Sequence, residues 1–551
     1  MFGRTQRLAI AALGCAAAIG LAACGGSGGT GKTSSAVGPA TVVAASAPDS
    51  LDPQVGVTTS STEATWNVYL GLYTYAHANG TAGTKVIPAL ADGLPRITDG
   101  GALYSTTLRK GLVFSDGTPV KASDFTYAIE RAIKLNWENK SFLTEHIAGA
   151  EAYDQGKASS IAGISTDDAT GAIQIKLTAP YGPFLNVLAF PAAGLIPSTT
   201  PIKALPNDPP PGVGPYVIAH VLPGRSFEEQ INPHWAAQAI PGIPTPSVAI
   251  QVKVQSNPGS QADEVLSNSA DLFDWNTPLP PTSVRQAKQE ASDRYSVEPV
   301  AQVSFFFLNT SVAPFNSLSA RMAVETALNR AAYVRLASGY LRPGCYLVPP
   351  QIIGYSHSSC PGGEPTGEGD IAKAKQMVRE SGTAGQSVTV WGPSDSPHRE
   401  FVDNFTQMLD AIGYKASERV ISPSTYYPTV AKVATKAQAG FAEYTQDFPN
   451  PVDFDQLVDG SSIQPEANHD FSLARDSYID SEIEALGKVP ASQLPSVATR
   501  AEELTDHISH NAYVAVIGYQ EAPKLTSDRV DFGALVFSPV YGPDWTTLKL
   551  K

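Results

Sequence analysis

The chain has 551 residues, 42% hydrophobic and 16% charged, with 46 Gly and 44 Pro. At roughly 150 residues per domain this is room for about three to four domains, and the apolar fraction excludes general disorder. Lys and Arg number 38 against 52 Asp and Glu, a formal charge of −14. That balance argues against nucleic acid as the main partner and against a polybasic grip on anionic lipid.

The first element is an export signal. Arg4 and Arg7 form a positive n-region, and 8–23 is an apolar run of small residues, too short to span a bilayer comfortably. Residues 1–23 therefore read as a signal peptide. The run ends in Leu21-Ala22-Ala23-Cys24-Gly25, which resembles a bacterial lipobox; that likeness implies a diacylglycerol on Cys24, with 24–39 as a flexible tether. Residues 26–33 spell the phosphate-loop pattern G-x-x-x-x-G-K-[ST] in full. A phosphate loop needs a buried strand before it and a helix after it. Here a removable signal precedes and Ser34-Ser35-Ala36-Val37-Gly38-Pro39 follows, so a Gly/Ser tether explains the same residues. The serine-nucleophile look-alike at 25–29 fails for the same reason.

Ordered sequence is expected from Pro39, with 40–47 as a first strand. Residues 104–108 alternate like a strand, and Ser123-Asp124 is positioned to cap a helix through about Leu135, with Phe125, Ala128, Ile129 and Ala132 on one face. Five prolines within 201–211 mark a boundary. Strands are expected at 248–254 and, short and aromatic, at 304–308. One helix is expected over 318–337, then helices at 370–380 (Asp370 as N-cap) and 397–412, separated by a strand at 387–391. The last strand candidate is 513–519. Cys345 and Cys360 lie 15 residues apart in a Pro/Gly-rich stretch. An exported pair of this kind most often forms a disulfide, with two free thiols as the alternative.

Several stretches, in order, resemble one family. They are Leu51-Asp52-Pro53, Asn67-Val68-Tyr69-Leu70-Gly71-Leu72, Ile87-Pro88-Ala89-Leu90-Ala91-Asp92-Gly93 and the long run from Leu108-Arg109-Lys110-Gly111 through Ser115-Asp116-Gly117-Thr118-Pro119 to Arg131. Gly212-Val213-Gly214-Pro215-Tyr216, Asn232-Pro233-His234-Trp235 and the 321–330 stretch (RMAVETALNR) follow. Together they look like the family 5 extracellular solute-binding proteins, the peptide-binding components of ABC importers. The resemblance covers about 48–520.

It implies an α/β, two-lobed clamp of the periplasmic-binding-protein type (type II, the large peptide-binding cluster). Lobe I would comprise 40–85, 213–302 and 515–551, with 86–212 as a subdomain inserted in it; lobe II would be 303–514. Two crossovers near 302 and 514 would act as hinges. The implied function is a lipid-anchored receptor on the extracytoplasmic side of the cell membrane. It would be monomeric, would need no cofactor or metal, and would pass short peptides to ABC permease subunits. Relatives of the same fold that take haem, oligosaccharides, opines or metal chelates leave a non-peptide ligand as the alternative.

The stretch Phe441-Ala442-Glu443-Tyr444-Thr445-Gln446-Asp447-Phe448-Pro449-Asn450-Pro451 matches the family segment in which an Asp receives the peptide α-ammonium, and Asp447 falls on that position. A fixed carboxylate in a closed cleft sets register by pairing with the one cation every peptide carries, while main-chain pairing supplies affinity independent of side chains. The competing reading makes Asp447 a turn residue before Pro449-Asn450-Pro451. The segment also lacks the second acid common near Asn450. Tyr444, Thr445, Gln446 and Phe448 flank Asp447 as site candidates. Trp391, Trp275 and its neighbour Asn276 fall where the family lines its pocket, with plain core packing as the alternative for the two indoles. Lys432 and Lys436 are nearby cations that read equally as solvated.

Catalysis has little support. His507-Ile508-Ser509-His510 is the only close histidine pair, H-E-x-x-H is absent, and no nucleophile or paired-carboxylate arrangement stands out.

Overall fold

The computed structural model describes residues 38–551. The expected signal peptide, Cys24 and the glycine-rich look-alikes at 25–33 lie outside them. Of five sheets among the described residues, the three with four or more strands organise the fold. The first is four-stranded: Ala40–Ala44 pairs in parallel with Ile250–Val254, which is antiparallel to Ser226–Ile231, itself paired with Tyr216–Leu222. Asp271-Leu272 runs beside Ala40–Ala44, with the Asp271 carboxylate accepting from the Thr41 N–H at 2.9 Å. That attachment delivers the next residues, Trp275 and Asn276, to the edge of the cleft.

The second sheet orders Arg96–Thr98, Leu103–Thr107, Ala172–Lys176 and Ile164–Asp167, all antiparallel. Ala172–Lys176 alternates exposed and buried, so Ile173 and Ile175 face inward. They meet Phe125, Ile129 and Ile133 of helix Ala122–Lys134 in one core, which also takes in Tyr73, Tyr75 and Trp235 from outside the sheet's own segment.

The third sheet has six strands in the order Leu341–Arg342, Val514–Leu525, Tyr295–Leu308, Ala439–Thr445, Ser387–Pro393 and Lys415–Ile421. Its central part is buried on both faces, which explains why Ser304-Phe305-Phe306-Phe307-Leu308 reads as a continuous apolar run, while the edge strand Lys415–Ile421 is largely exposed. Phe305 and Phe307 join one core with Tyr426 and Ala442; Phe306 and Leu308 point the other way, toward Val324, Val378 and Phe405 of three covering helices.

Two strands of this sheet are unusually long. Tyr295–Leu308 and Val514–Leu525 pair antiparallel from Tyr295 opposite Leu525 to Phe307 opposite Val514. At one end Tyr295, Val297 and Leu525 pack with Val43 and Phe273 beside the first sheet; at the other end both strands lie within the six-stranded sheet. Register shifts fall between Pro299 and Val303 and between Ser304 and Phe305. Such irregularities bend a strand and re-aim its side chains, and these sit where the strand passes the cleft.

Some local expectations need correction. The strand expected to be short at 304–308 is the end of a 14-residue strand, and the 513–519 candidate extends to a 12-residue strand, Val514–Leu525. The single helix expected over 318–337 is two, Leu318–Ala327 and Arg330–Leu336, with Leu328 extended. The break follows from Asn329, whose side chain caps the second helix by accepting from the Ala332 N–H at 3.1 Å. Helix Ala122–Lys134 starts after Lys121, not at Ser123-Asp124. Asp124 lies inside its first turn and accepts from the Lys121 N–H at 2.8 Å, the reciprocal half of a capping box. Ile371–Glu380 does start after Asp370, which accepts from the Lys373 N–H at 2.8 Å. Cys345 and Cys360 are joined in a disulfide, Cα atoms 5.8 Å apart. No helix among the described residues is long and apolar enough to cross a membrane.

Candidate functional site

Two adjoining cavities flank the long strands. The larger encloses about 550 Å³ and the smaller about 220 Å³, together within the usual range for ligand sites. They share Trp275, Asn276, Val300 and Gln302 as walls. Trp275 is seated on Gly542, whose φ is +78° and where any Cβ would fall 2.2 Å from the indole. Its ring meets Phe537 edge-on at 5.5 Å, so this wall is fixed by packing.

Asp447 lines the smaller cavity with Thr445 and Gln446. Strand Ala439–Thr445 pairs with the long strand, Thr445 opposite Gln302 and Glu443 opposite Ser304. Beyond the last ladder pair, the Gln446 N–H donates to the Ala301 carbonyl and its side chain to the Pro539 carbonyl at 2.8 Å. The turn that follows is held by other residues. Asn450 caps helix Pro451–Asp455 through the Val452 N–H, and Asp453 accepts the Asp447 N–H at 2.9 Å. The Asp447 carboxylate serves none of these bonds. Its one protein partner among the described residues is the Tyr444 hydroxyl, at 3.1 Å.

That hydroxyl also lies 3.0 Å from Asp453 Oδ1 and accepts from Gln456 Nε2 at 3.0 Å. One phenolic proton cannot satisfy two carboxylates together. Burial pushes the Asp447 carboxyl up, with the Tyr444 bond pulling the other way. Burial and the adjacent Asp447 push the fully enclosed Asp453 well up. The cluster is short of positive charge: neither cavity has a Lys or Arg in its walls.

The predicted residues divide. Trp275, Asn276, Thr445, Gln446 and Asp447 come together around the smaller cavity. Tyr444 lies behind the wall as the link between the two acids. Phe448 is 3% exposed, packed edge-on against Phe142 at 5.5 Å in the core of the second sheet. Trp391 is buried in a core of the third sheet beneath the Arg419 guanidinium. Neither lines either of these two cavities, because each ring buries its apolar surface in a neighbouring core instead. Lys432 pairs with Glu466 at the surface. An acid does lie close to Asp447 in space, Asp453 of helix Pro451–Asp455. Sequence reasoning passed over it because it sits three residues beyond Asn450, inside a helix. It also missed Glu443, Glu521 and His398, which line the larger cavity. Glu443 was detectable, two residues before Thr445 on the same face of the strand. His507 is bonded to Asp476 at 2.7 Å, and no metal-ligating group of three or more occurs among the described residues.

Comparison with known proteins places this geometry in a family. The profile of the bacterial extracellular solute-binding proteins, family 5 Middle, matches residues 85–464. The glutathione-binding protein GsiB of Salmonella choleraesuis (strain SC-B67) is 27% identical over 338 residues, 60% of either chain. That of Escherichia coli O1:K1 / APEC is 27% identical over 331 residues, 58% of either. The chain thus spans about 60% of the length of these curated relatives. Among solved structures, the clavulanic acid biosynthesis oligopeptide binding protein 2 superposes with a TM-score of 0.81 at 19% identity, over 93% of this chain and 96% of that one. The unliganded open form of the periplasmic murein tripeptide binding protein MppA gives 0.77 at 17%, over 93% and 97%. Fold and profile agree: this chain belongs to the bacterial extracellular solute-binding proteins of family 5, two-lobed α/β binding proteins of type II.

Proposed function

We propose that the chain is the receptor of an ABC importer: it captures short peptides between its lobes, 303–514 forming one of them, and delivers them to the permease. The observation that carries this reading is the Asp447 carboxylate, which faces the cleft, serves no local backbone, and has a hydroxyl but no cation as partner. A peptide α-ammonium supplies the missing charge. Thr445 and Gln446 position the strand end, and Trp275 and Asn276 close the opposite wall. Several relatives' names print peptides as ligands, glutathione and murein tripeptide among them. Glutathione itself is net anionic and finds no Lys or Arg in these walls, which favours neutral or cationic peptides here. Diacylglycerol on Cys24 would tether the receptor outside the membrane, the 24–39 segment giving it reach.

Calorimetric titration of the ligand-free protein with short peptides tests this. Micromolar or tighter binding is expected, weakened about 30-fold or more in Asp447→Ala, since truncating one partner of a buried charge pair costs about 2–5 kcal/mol. An unchanged affinity in that variant overturns the role of Asp447. Mass spectrometry of whatever co-purifies would expose a non-peptide ligand directly.

A further inference from the structure

We propose that the larger cavity is a subsite for a basic side chain, so that the preferred ligand is a peptide bearing a Lys or Arg besides its α-ammonium. The proposal rests on the peptide reading above and extends it along the cleft. The cavity shares four walls with the chamber of Asp447, so one ligand can occupy both. Its lining joins two chemistries. Leu336, Tyr340 and Phe401 give an apolar stretch, and Glu443 and Glu521 give two carboxylates. A basic side chain has this same composition, a hydrocarbon stem and a charged head, and the rings of Tyr340 and Phe401 are compatible with a cation.

The charges around the cavity leave room for that head. Glu443 Oε2 accepts from Gln302 Nε2 at 3.1 Å and lies 3.5 Å from His398 Nε2, while Oε1 has no hydrogen-bond partner among the described residues. The His398 ring is held on its other side by Asp395, at 2.8 Å. The Glu521 side chain has no hydrogen-bond or ion-pair partner among the described residues; Arg342 and Glu298 influence it from nearby with opposite sign. Imidazolium at His398 together with Arg342 would set two cations against the four carboxylates of Asp395, Glu443, Glu521 and Glu298, so the surplus is negative even then. Reach is also suitable. Two residues of extended chain advance roughly 7 Å; Glu443 lies two positions before the strand end at Thr445 and four before Asp447, which sits in the bend that follows. A second or third residue with a long side chain spans that gap.

The test is calorimetric titration of ligand-free protein with tetra-alanine and with its single-lysine substitutions at positions two, three and four. Leucine and glutamate versions of each position serve as controls. One lysine position is expected to bind about tenfold or more tighter than tetra-alanine, with no such gain from leucine and a loss from glutamate. In the Glu443→Gln/Glu521→Gln double variant the ratio of lysine-peptide to tetra-alanine affinity is expected to fall to about one. If tetra-alanine binds and no lysine position improves on it, this inference is overturned and the peptide reading survives. A lysine gain that persists in the double variant also overturns it, because the charge is then read elsewhere. If none of the peptides binds, the peptide reading fails and takes this subsite with it.

Discussion

Two buried carboxylate sites in this protein are built in opposite ways. Asp52 is completely enclosed, and so is its partner Arg131, with Nη2 and Oδ2 2.6 Å apart. Asp52 also accepts the N–H groups of Gln54 and Leu205, and Arg131 reaches the Gln54 side chain and the carbonyls of Pro201 and Lys203. Every charge there is answered, and the pair ties the 48–56 stretch to helix Ala122–Lys134 and the proline-rich stretch after it. At Asp447 and Asp453 two acids share one tyrosine hydroxyl with no ion-pair partner among the described residues, His469 acting on Asp447 only through charge at a distance. A fold can place a charged pair in its interior when hydrogen bonds complete it; an uncompensated pair is costly unless something else arrives. The contrast marks the first site as structural and supports the proposal that a ligand completes the second.

The largest expected effect tests the structural member. Arg131→Ala leaves Asp52 buried and alone and is expected to lower stability by about 3–5 kcal/mol in urea unfolding. By contrast, Asp447→Asn in the ligand-free protein is expected to unfold at the same temperature as the parent or higher, because it removes a charge that burial disfavours. A clear loss of stability in Asp447→Asn would break the comparison. Next in size, replacing Cys345 and Cys360 by Ala opens a loop of 15-residue separation and is expected to cost about 3 kcal/mol, with little change in peptide affinity per folded molecule.

The pH dependence of binding sharpens the other member. In the empty cleft the Asp447 carboxyl is held above its usual range by burial. A cationic ligand favours the ionised form, so binding releases a proton once the pH falls below that raised value. Affinity is therefore expected to be full between that raised value and the α-ammonium pKa of about 8, and to fall on acidification, by at most about tenfold per pH unit from this group. Calorimetry across a pH series checks it, and Asp447→Asn should flatten the profile. The smallest effect expected is that of Tyr444→Phe, about 1 kcal/mol of affinity. The hydroxyl orients Asp447 but does not line the cavity.

Much of the scaffold was legible before any coordinates. Helices at 371–380 and 398–412 follow from caps and 3.6-residue periodicity, and the bridged cysteines from export and spacing. The motif residues Asp52 and Arg131 were visible as parts of a pattern, yet nothing in the linear order says that they bind one another across 79 positions. The aromatic residues show the limit most plainly. Trp275 and Trp391 looked equivalent, and only packing sent one to the cleft wall and the other into a core. Phe448 and Asp447 are adjacent but face different surroundings, one the core of the second sheet and the other the cavity.

The sequence by itself determined the class of the protein, the run of its elements and the position of the ammonium-binding candidate, because periodicity, caps and ordered motifs are local properties of the chain. Only the tertiary structure decided which charges are neutralised. Arg131 reaches Asp52, whereas no Lys or Arg enters the walls around Asp447, Glu443 and Glu521. Whether a carboxylate is satisfied depends on what the fold places within a few ångströms of it and on how much water remains there, and neither is written in the neighbouring residues.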